Sequence, residues 1–290
     1  MSRFPSATGA ELSNPVGYAT ISWPKSQFDH ALQTISRLGF KGVQLLGWTR
    51  RAFAGEKAAR LREQLSALSL QPVTLSCSDL ELDPANLADV SGRFRGYATF
   101  LKQLDGKYLQ MTDGGRPGAT YSADQMKAFV QEMNQLGKIA QEAGVTMGYH
   151  PHVGTLGETR EGLGRILDST DPRYVKLIAD VAHLTLGGSD PVEVISTYRE
   201  RLLFCHFKDI RTDAAELYRK HSAASRRAKY HFTEIGTGVV NFPAIIRTFQ
   251  EIGFNGWVIV ELDDFERRPG GPDESAEMNK SAIEKLGLRI

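Results

Sequence analysis

Two cysteines in 290 residues, and 35 basic side chains against 34 acidic ones, leave the chain with neither a disulfide framework nor an excess of one charge. Cys77 and Cys205 both sit in apolar runs, where a buried free thiol is the expected occupant. A net charge of +1 supplies no global field for nucleic acid or an anionic membrane. No apolar run reaches the ~18 residues of a membrane span, and Met1 to Asn14 lacks the apolar stretch of a secretory leader. A soluble, cytoplasmic protein is expected, or a periplasmic one if a leader has been removed. Linkers, low-complexity tracts and composition breaks are missing too, so nothing divides the chain beyond a loose polar segment over 1–14.

What is present is enough to build a large core: 41% of the residues are hydrophobic and 24% charged. One pattern repeats every ~30 to 35 residues. Residues 15–23 read as a strand, and Phe28, Ala31, Leu32, Ile35 and Leu38 mark one face of a helix closed by Gly39. Strand-like runs recur at 42–46, 72–77, 107–111, 145–150, 175–180, 202–207 and 257–261, with helical spacing between them. The clearest helix opens on Ser122 and Gln125 in capping-box spacing and is closed by Gly144. Eight short strands alternating with helices predict a parallel sheet closed into a single (β/α)8 barrel over 15–290, an α/β fold.

Chemistry gathers at the ends of the last four runs. His150 ends the fifth, Asp180 the sixth and Glu261 the eighth, while His206 lies near the end of the seventh. In a barrel the carboxyl ends of the strands converge on one face, so side chains far apart in sequence reach a common point. Apolar strands that each finish in His, Asp or Glu are poorly explained by packing and well explained by one divalent ion. Imidazole with carboxylate suits Mn2+ or Co2+, with Fe2+, Zn2+ and Mg2+ in the same range, better than calcium. Such a set leaves coordination positions open to water or substrate, as in a catalytic site.

The same segments carry a family resemblance. GYHPHVGT (148–155), DVAHLTLGGSDP (180–191), CHFKD (205–209), EIGTGVVNFPA (234–244) and GWVIVELD (256–263) resemble segments of inosose dehydratase-like members of the xylose isomerase-like superfamily. The resemblance runs from residue 15 and is strongest over 145–263. It implies that His150, Asp180, His206 and Glu261 are the metal ligands, and that His183 and Lys208 contact substrate hydroxyls. Many isomerases and epimerases of the superfamily carry Glu where this chain has His150, and the H-P-H-x-G-T segment matches the dehydratase branch instead.

Epimerisation by proton removal and return on opposite faces calls for two bases, commonly two carboxylates, and this chain has lost one. Elimination needs one base at the α-carbon and one proton donor for the departing hydroxyl. Glu261 is the expected base, and His150, His152 or His183 the expected acid. The expected substrate is a small polyhydroxy ketone, a keto-cyclitol or keto-sugar such as a 3-keto-glycoside, with sugar isomerisation or epimerisation as the alternative. An apurinic endonuclease shares the superfamily, but the neutral charge and the small number of histidines argue against nucleic acid as partner.

Around this centre, His152 is a further substrate-binding candidate, and Trp23 and Trp48 follow strands one and two, from where an aromatic face can pack on a sugar ring. Asp113 and Glu234 adjoin glycine turns and read as structural. The most basic stretch, 211–231, reads as a solvated excursion, a lid, or a contact between copies in a homo-oligomer.

Overall fold

The computed structural model describes residues 12–77, 87–113, 121–220, 232–263 and 270–290. Among the described residues there are ten strands: β1 (Val16–Ala19), β2 (Gly42–Leu46), β3 (Gln71–Ser76), β4 (Tyr108–Met111), β5 (Thr146–Tyr149), β6 (Val175–Asp180), β7 (Leu202–Phe207), β8 (Asp209–Ile210), β9 (Phe232–Thr233) and β10 (Trp257–Val260). Eight of them close a parallel barrel in the order β1-β10-β7-β6-β5-β4-β3-β2, as the eight sequence runs require. β8 and β9 form a separate antiparallel pair.

Helices cover the barrel: α1 (Phe28–Arg37), α2 (Gly47–Phe53), α3 (Lys57–Ala67), α4 (Leu87–Gln103), α5 (Ala123–Glu142), α6 (Arg160–Ser169), α7 (Val181–Leu186), α8 (Pro191–Thr197), α9 (Thr212–Lys220), α10 (Phe242–Ile252) and α11 (Gly271–Lys285). The expected capping box opens α5: Ser122 Oγ accepts the Gln125 N–H at 3.2 Å and Gln125 Oε1 accepts the Ser122 N–H at 2.9 Å. α2 was not foreshadowed by any apolar periodicity.

Strand alternation sorts side chains between two apolar cores. The larger lies between sheet and helices; the smaller is built from Ala19, Val73, Ile178, Phe204, Trp257 and Ile259, drawn from five strands. This smaller core fills the barrel interior, with Trp257 reaching across to β2. A Cβ on Gly42 would lie 2.4 Å from Val73 Cγ2 and 2.5 Å from the Trp257 ring, so the interior at that level closes only over a glycine. Two residues further along each strand, the same alternation aims the next side chains inward above this plug. From Gly42 it leads to Gln44, from Ile178 to Asp180, from Phe204 to His206 and then Lys208, and from Ile259 to Glu261.

Two expectations about the periphery change. Residues 12–14, expected to be loose, are held: Leu12 bridges to Leu288, and Asn14 Nδ2 donates to the carbonyls of Phe254 and Gly256 at 3.0 and 2.8 Å. Residues 1–11 lie outside the described residues. β1 stops at Ala19, because a 3-10 turn over Thr20–Ser22 carries the chain off the sheet. In the basic stretch, α9 accounts for Thr212–Lys220, Arg211 pairs with Asp213 at 2.8 Å, and 221–231 lie outside the described residues. Cys77 and Cys205 are buried free thiols, as expected. Among the described residues, no helix is long and apolar enough to cross a membrane.

Candidate metal centre

Asp180, the last residue of β6, does two jobs. Its Oδ1 caps α7 by accepting the N–H groups of Ala182 and His183 at 2.9 and 3.0 Å. That leaves Oδ2 facing the barrel axis, 3.5 Å from His150 Nε2 and 3.6 Å from His206 Nδ1. All three atoms are buried and without a hydrogen-bond partner. Buried polar atoms are almost always satisfied, so three orphaned donors converging on one point mark the place of a missing partner. One donor atom each from His150, Asp180 and His206 lies within 4.8 Å of the others, and a divalent ion fits this nitrogen and oxygen set. The distances between these atoms exceed hydrogen-bond length, so they do not satisfy one another.

Glu261, the fourth expected ligand, lies on the Nε2 side of His206 and outside the group of three converging donor atoms. Its Oε2 lies 3.6 Å from His206 Nε2 and accepts the Gln44 amide at 2.5 Å, and its Oε1 accepts Lys208 Nζ at 2.6 Å. Lys208 also donates to Asp263 Oδ2 at 2.9 Å and stands 3.5 Å from Asp180 Oδ2. The ammonium is buried, and burial alone would lower its pKa, but Asp263, Glu261 and Asp180 outweigh that and hold it well above the ordinary lysine value. Reciprocally, burial would raise Glu261, yet Lys208 and His206 bring it down to about 2, and Lys208 and His183 hold Asp180 well below the usual carboxylate range.

The imidazoles are lowered too, which in their case favours the uncharged form. Burial lowers His150 and His183, and burial together with the neighbouring His150 lowers His152 to about 4. The rings of His152 and His183 lie with centroids 3.6 Å apart, and His183 Nε2 is 3.9 Å from Asp180 Oδ2. At neutral pH this wall of the site is uncharged imidazole.

Of the residues expected from sequence, His150, His152, Asp180, His183, His206, Lys208 and Glu261 are brought together. Trp23 and Trp48 are not part of that cluster. The turn after β1 buries Trp23 against Tyr18, ring centroids 5.5 Å apart, with its Nε1–H donated to Asp273 at 2.8 Å. Trp48 sits in α2 and packs edge-on to Phe28 at 5.1 Å. Both are held as packing residues. Asp113 is a buried anchor rather than a turn residue, accepting Tyr149 Oη at 3.0 Å and the Leu156 N–H at 2.9 Å, so it ties down the loop that carries His152. Glu234 accepts Ser275 Oγ at 2.8 Å and joins the glycine turn to α11. Three residues had not been singled out: Gln44, Asp263 and Asp209. Asp209 accepts the N–H groups of Gly236, Gly238 and Val240 and so shapes the glycine turn beside the site.

The family profile of the xylose isomerase-like TIM barrel matches residues 32–282. The chain belongs to that family. Among its relatives, the inosose dehydratase of Bacillus velezensis is 33% identical, over 86% of this chain and 87% of that protein. The inosose dehydratase of Geobacillus kaustophilus is 28% identical over 93% and 94% of the two chains. Of solved structures, the IOLI protein with a binding zinc atom superposes with a TM-score of 0.75, covering 94% of this chain and 98% of that one at 17% identity, a likeness of fold.

Proposed function

We propose that this protein is a metal-dependent carbon–oxygen lyase that removes water from a keto-cyclitol or a closely related keto-sugar. The observation that carries this reading is the convergence of three orphaned ligand atoms, on His150, Asp180 and His206, beside a single buried carboxylate–ammonium pair, Glu261 and Lys208. Near-full-length relatives named inosose dehydratase support the substrate class. His150, Asp180 and His206 would hold the ion, with Glu261 adjacent to complete the set. A bound divalent cation, Mn2+ or Co2+ foremost and Zn2+ in the same range, supplies Lewis acidity toward a ketone and its neighbouring hydroxyl.

The chain's own groups then divide the work. Glu261, ionised at neutral pH, takes the α-proton, and its basicity rises when a substrate oxygen draws Lys208 away from it. Lys208 and His152 hold substrate hydroxyls. His183, uncharged at rest, passes the proton of its N–H to the departing hydroxyl, which leaves as water, and the α-proton carried by Glu261 is relayed through solvent to His183, so that both groups return to their starting state. Among the described residues, the end of β5 carries an imidazole, His150, and not the carboxylate that inversion at carbon commonly uses opposite the first base.

The test is incubation of the metal-reconstituted protein with a panel of keto-inositols and 3-keto-glycosides, read by mass spectrometry. A product lighter by one water is the expected outcome. A product of unchanged mass at a new retention time would replace this reading with isomerisation or epimerisation.

A further inference from the structure

We propose that Gln44 is a positioning residue that sets the tautomer of His206, and with it the nitrogen that His206 offers to a divalent cation. Gln44 stands on β2, three strands round the barrel from β7, and is 1% exposed. Its amide bridges two members of the site: Nε2 reaches Glu261 Oε2 at 2.5 Å, and Oε1 reaches His206 Nε2 at 2.6 Å.

The chemistry of the partners dictates which way this bridge runs. Glu261 is bound through its other oxygen to the Lys208 ammonium at 2.6 Å, so it is a carboxylate and only accepts. The end of Gln44 that meets it must therefore be the NH2. The opposite end is then the carbonyl oxygen, which also only accepts, and a contact of 2.6 Å with it requires a hydrogen on His206 Nε2. An uncharged imidazole carries one such hydrogen, so Nδ1 is left with its lone pair. That bare Nδ1 is the atom 3.6 Å from Asp180 Oδ2, too far for a hydrogen bond and without any other hydrogen-bond partner. The neighbouring ligand follows the same plan: His150 Nδ1 lies 3.3 Å from Thr112 Oγ1, and its Nε2 faces Asp180. One glutamine thus links the proton-taking carboxylate to the ligand imidazole and keeps an N–H from pointing at the ion's place. Partners of this kind typically change metal affinity 10- to 100-fold.

The inference rests on His150, Asp180 and His206 being ion ligands and is independent of which substrate is dehydrated. It is tested by long-range proton–nitrogen NMR on chelator-treated protein labelled with 15N-histidine, with the His206 signals assigned from a His206→Asn variant. The expected spectrum shows His206 protonated at Nε2 and bare at Nδ1. In Gln44→Met the preference should be lost, and Zn2+ affinity measured by chelator competition should fall about 10- to 100-fold. A wild-type His206 protonated at Nδ1 overturns the proposal, even if Gln44→Met fails to fold. A folded Gln44→Met with unchanged tautomer and unchanged Zn2+ affinity overturns it as well. The wild-type tautomer with tight Zn2+ binding, but no dehydration of any keto-cyclitol, would count against the proposed function and in favour of this inference.

Discussion

Lys208 Nζ lies 2.6 Å from Glu261 Oε1, with 1% and 6% of the two side chains exposed, so the centre of the site is an ion pair almost wholly removed from water. Asp180 and Asp263 stand 3.5 and 2.9 Å from the same ammonium. One lysine therefore balances three carboxylates, two of them buried and Asp263 partly exposed, and the charge of the metal-free site depends on it.

Lys208→Met keeps the length of the side chain and removes the charge. Breaking a buried pair leaves uncompensated charge and typically costs 3–5 kcal/mol, so urea unfolding of the metal-free variant should show a loss of about that size. Zn2+ should recover part of it by restoring positive charge at the same place. An unfolding midpoint equal to wild type without metal would show that the pair carries no such burden.

Asp180→Asn separates the two roles of that residue. The amide retains an oxygen in place of Oδ1 for the N–H groups of Ala182 and His183, so α7 should stay capped. It removes the charge at Oδ2, so metal content by mass spectrometry should fall to background and turnover with it. Asp180→Ala should lose the metal and also about 1 kcal/mol of stability with the cap. Stoichiometric metal in either variant would remove Asp180 from the ligand set.

Acid should destabilise the metal-free protein in a window set by the imidazoles. His152, lowered to about 4 by burial and by the nearby His150, binds protons less readily folded than unfolded. A depressed folded-state pKa contributes stability above the unfolded value near 6.5, and that stability is lost as pH falls toward the folded value. Unfolding followed from pH 7 to pH 4 should therefore show a progressive loss of stability. His152→Asn should flatten this dependence, with the wild-type slope persisting to the extent that His150 and His183, also lowered, titrate in the same direction. A slope unchanged by the substitution would assign the dependence to the other two histidines.

The sequence made the barrel and the candidate ligands legible for the same reason. Strands β2, β6 and β7 coincide with the apolar runs at 42–46, 175–180 and 202–207, and a His or Asp in such a run stands out against the Val, Ile and Leu around it. What it hid depends on register across the barrel. Gln44 is one polar residue within GVQLL, and its inward aim is visible only once Gly42 is found facing Trp257. Asp263 lies past the end of β10 and gains meaning only from Lys208. Trp23 and Trp48 had the right distance from their strands, but turns whose direction no periodicity encodes took them into packing contacts.

Glu261→Gln tests the chemistry itself. The amide keeps an oxygen near the ion's place while it removes basicity, and it keeps the shape that Gln44 and Lys208 pack against. Turnover should fall by ~10²-fold or more, the usual worth of a general base, with a smaller loss in metal affinity. In D2O, wild-type protein acting by elimination should yield a product lacking one water, with solvent exchange at the α-carbon of recovered substrate that disappears in the variant. Epimerisation predicts a product of the substrate's composition carrying deuterium at an inverted carbon, and it needs a second base across the substrate from Glu261. The group at the end of β5 is His150, an imidazole whose Nε2 is turned toward Asp180 at 3.5 Å and whose Nδ1 lies 3.3 Å from Thr112 Oγ1. Deuterium at an inverted carbon would require another proton donor to reach that face, and its appearance would exchange lyase for epimerase while leaving the ligand set in place.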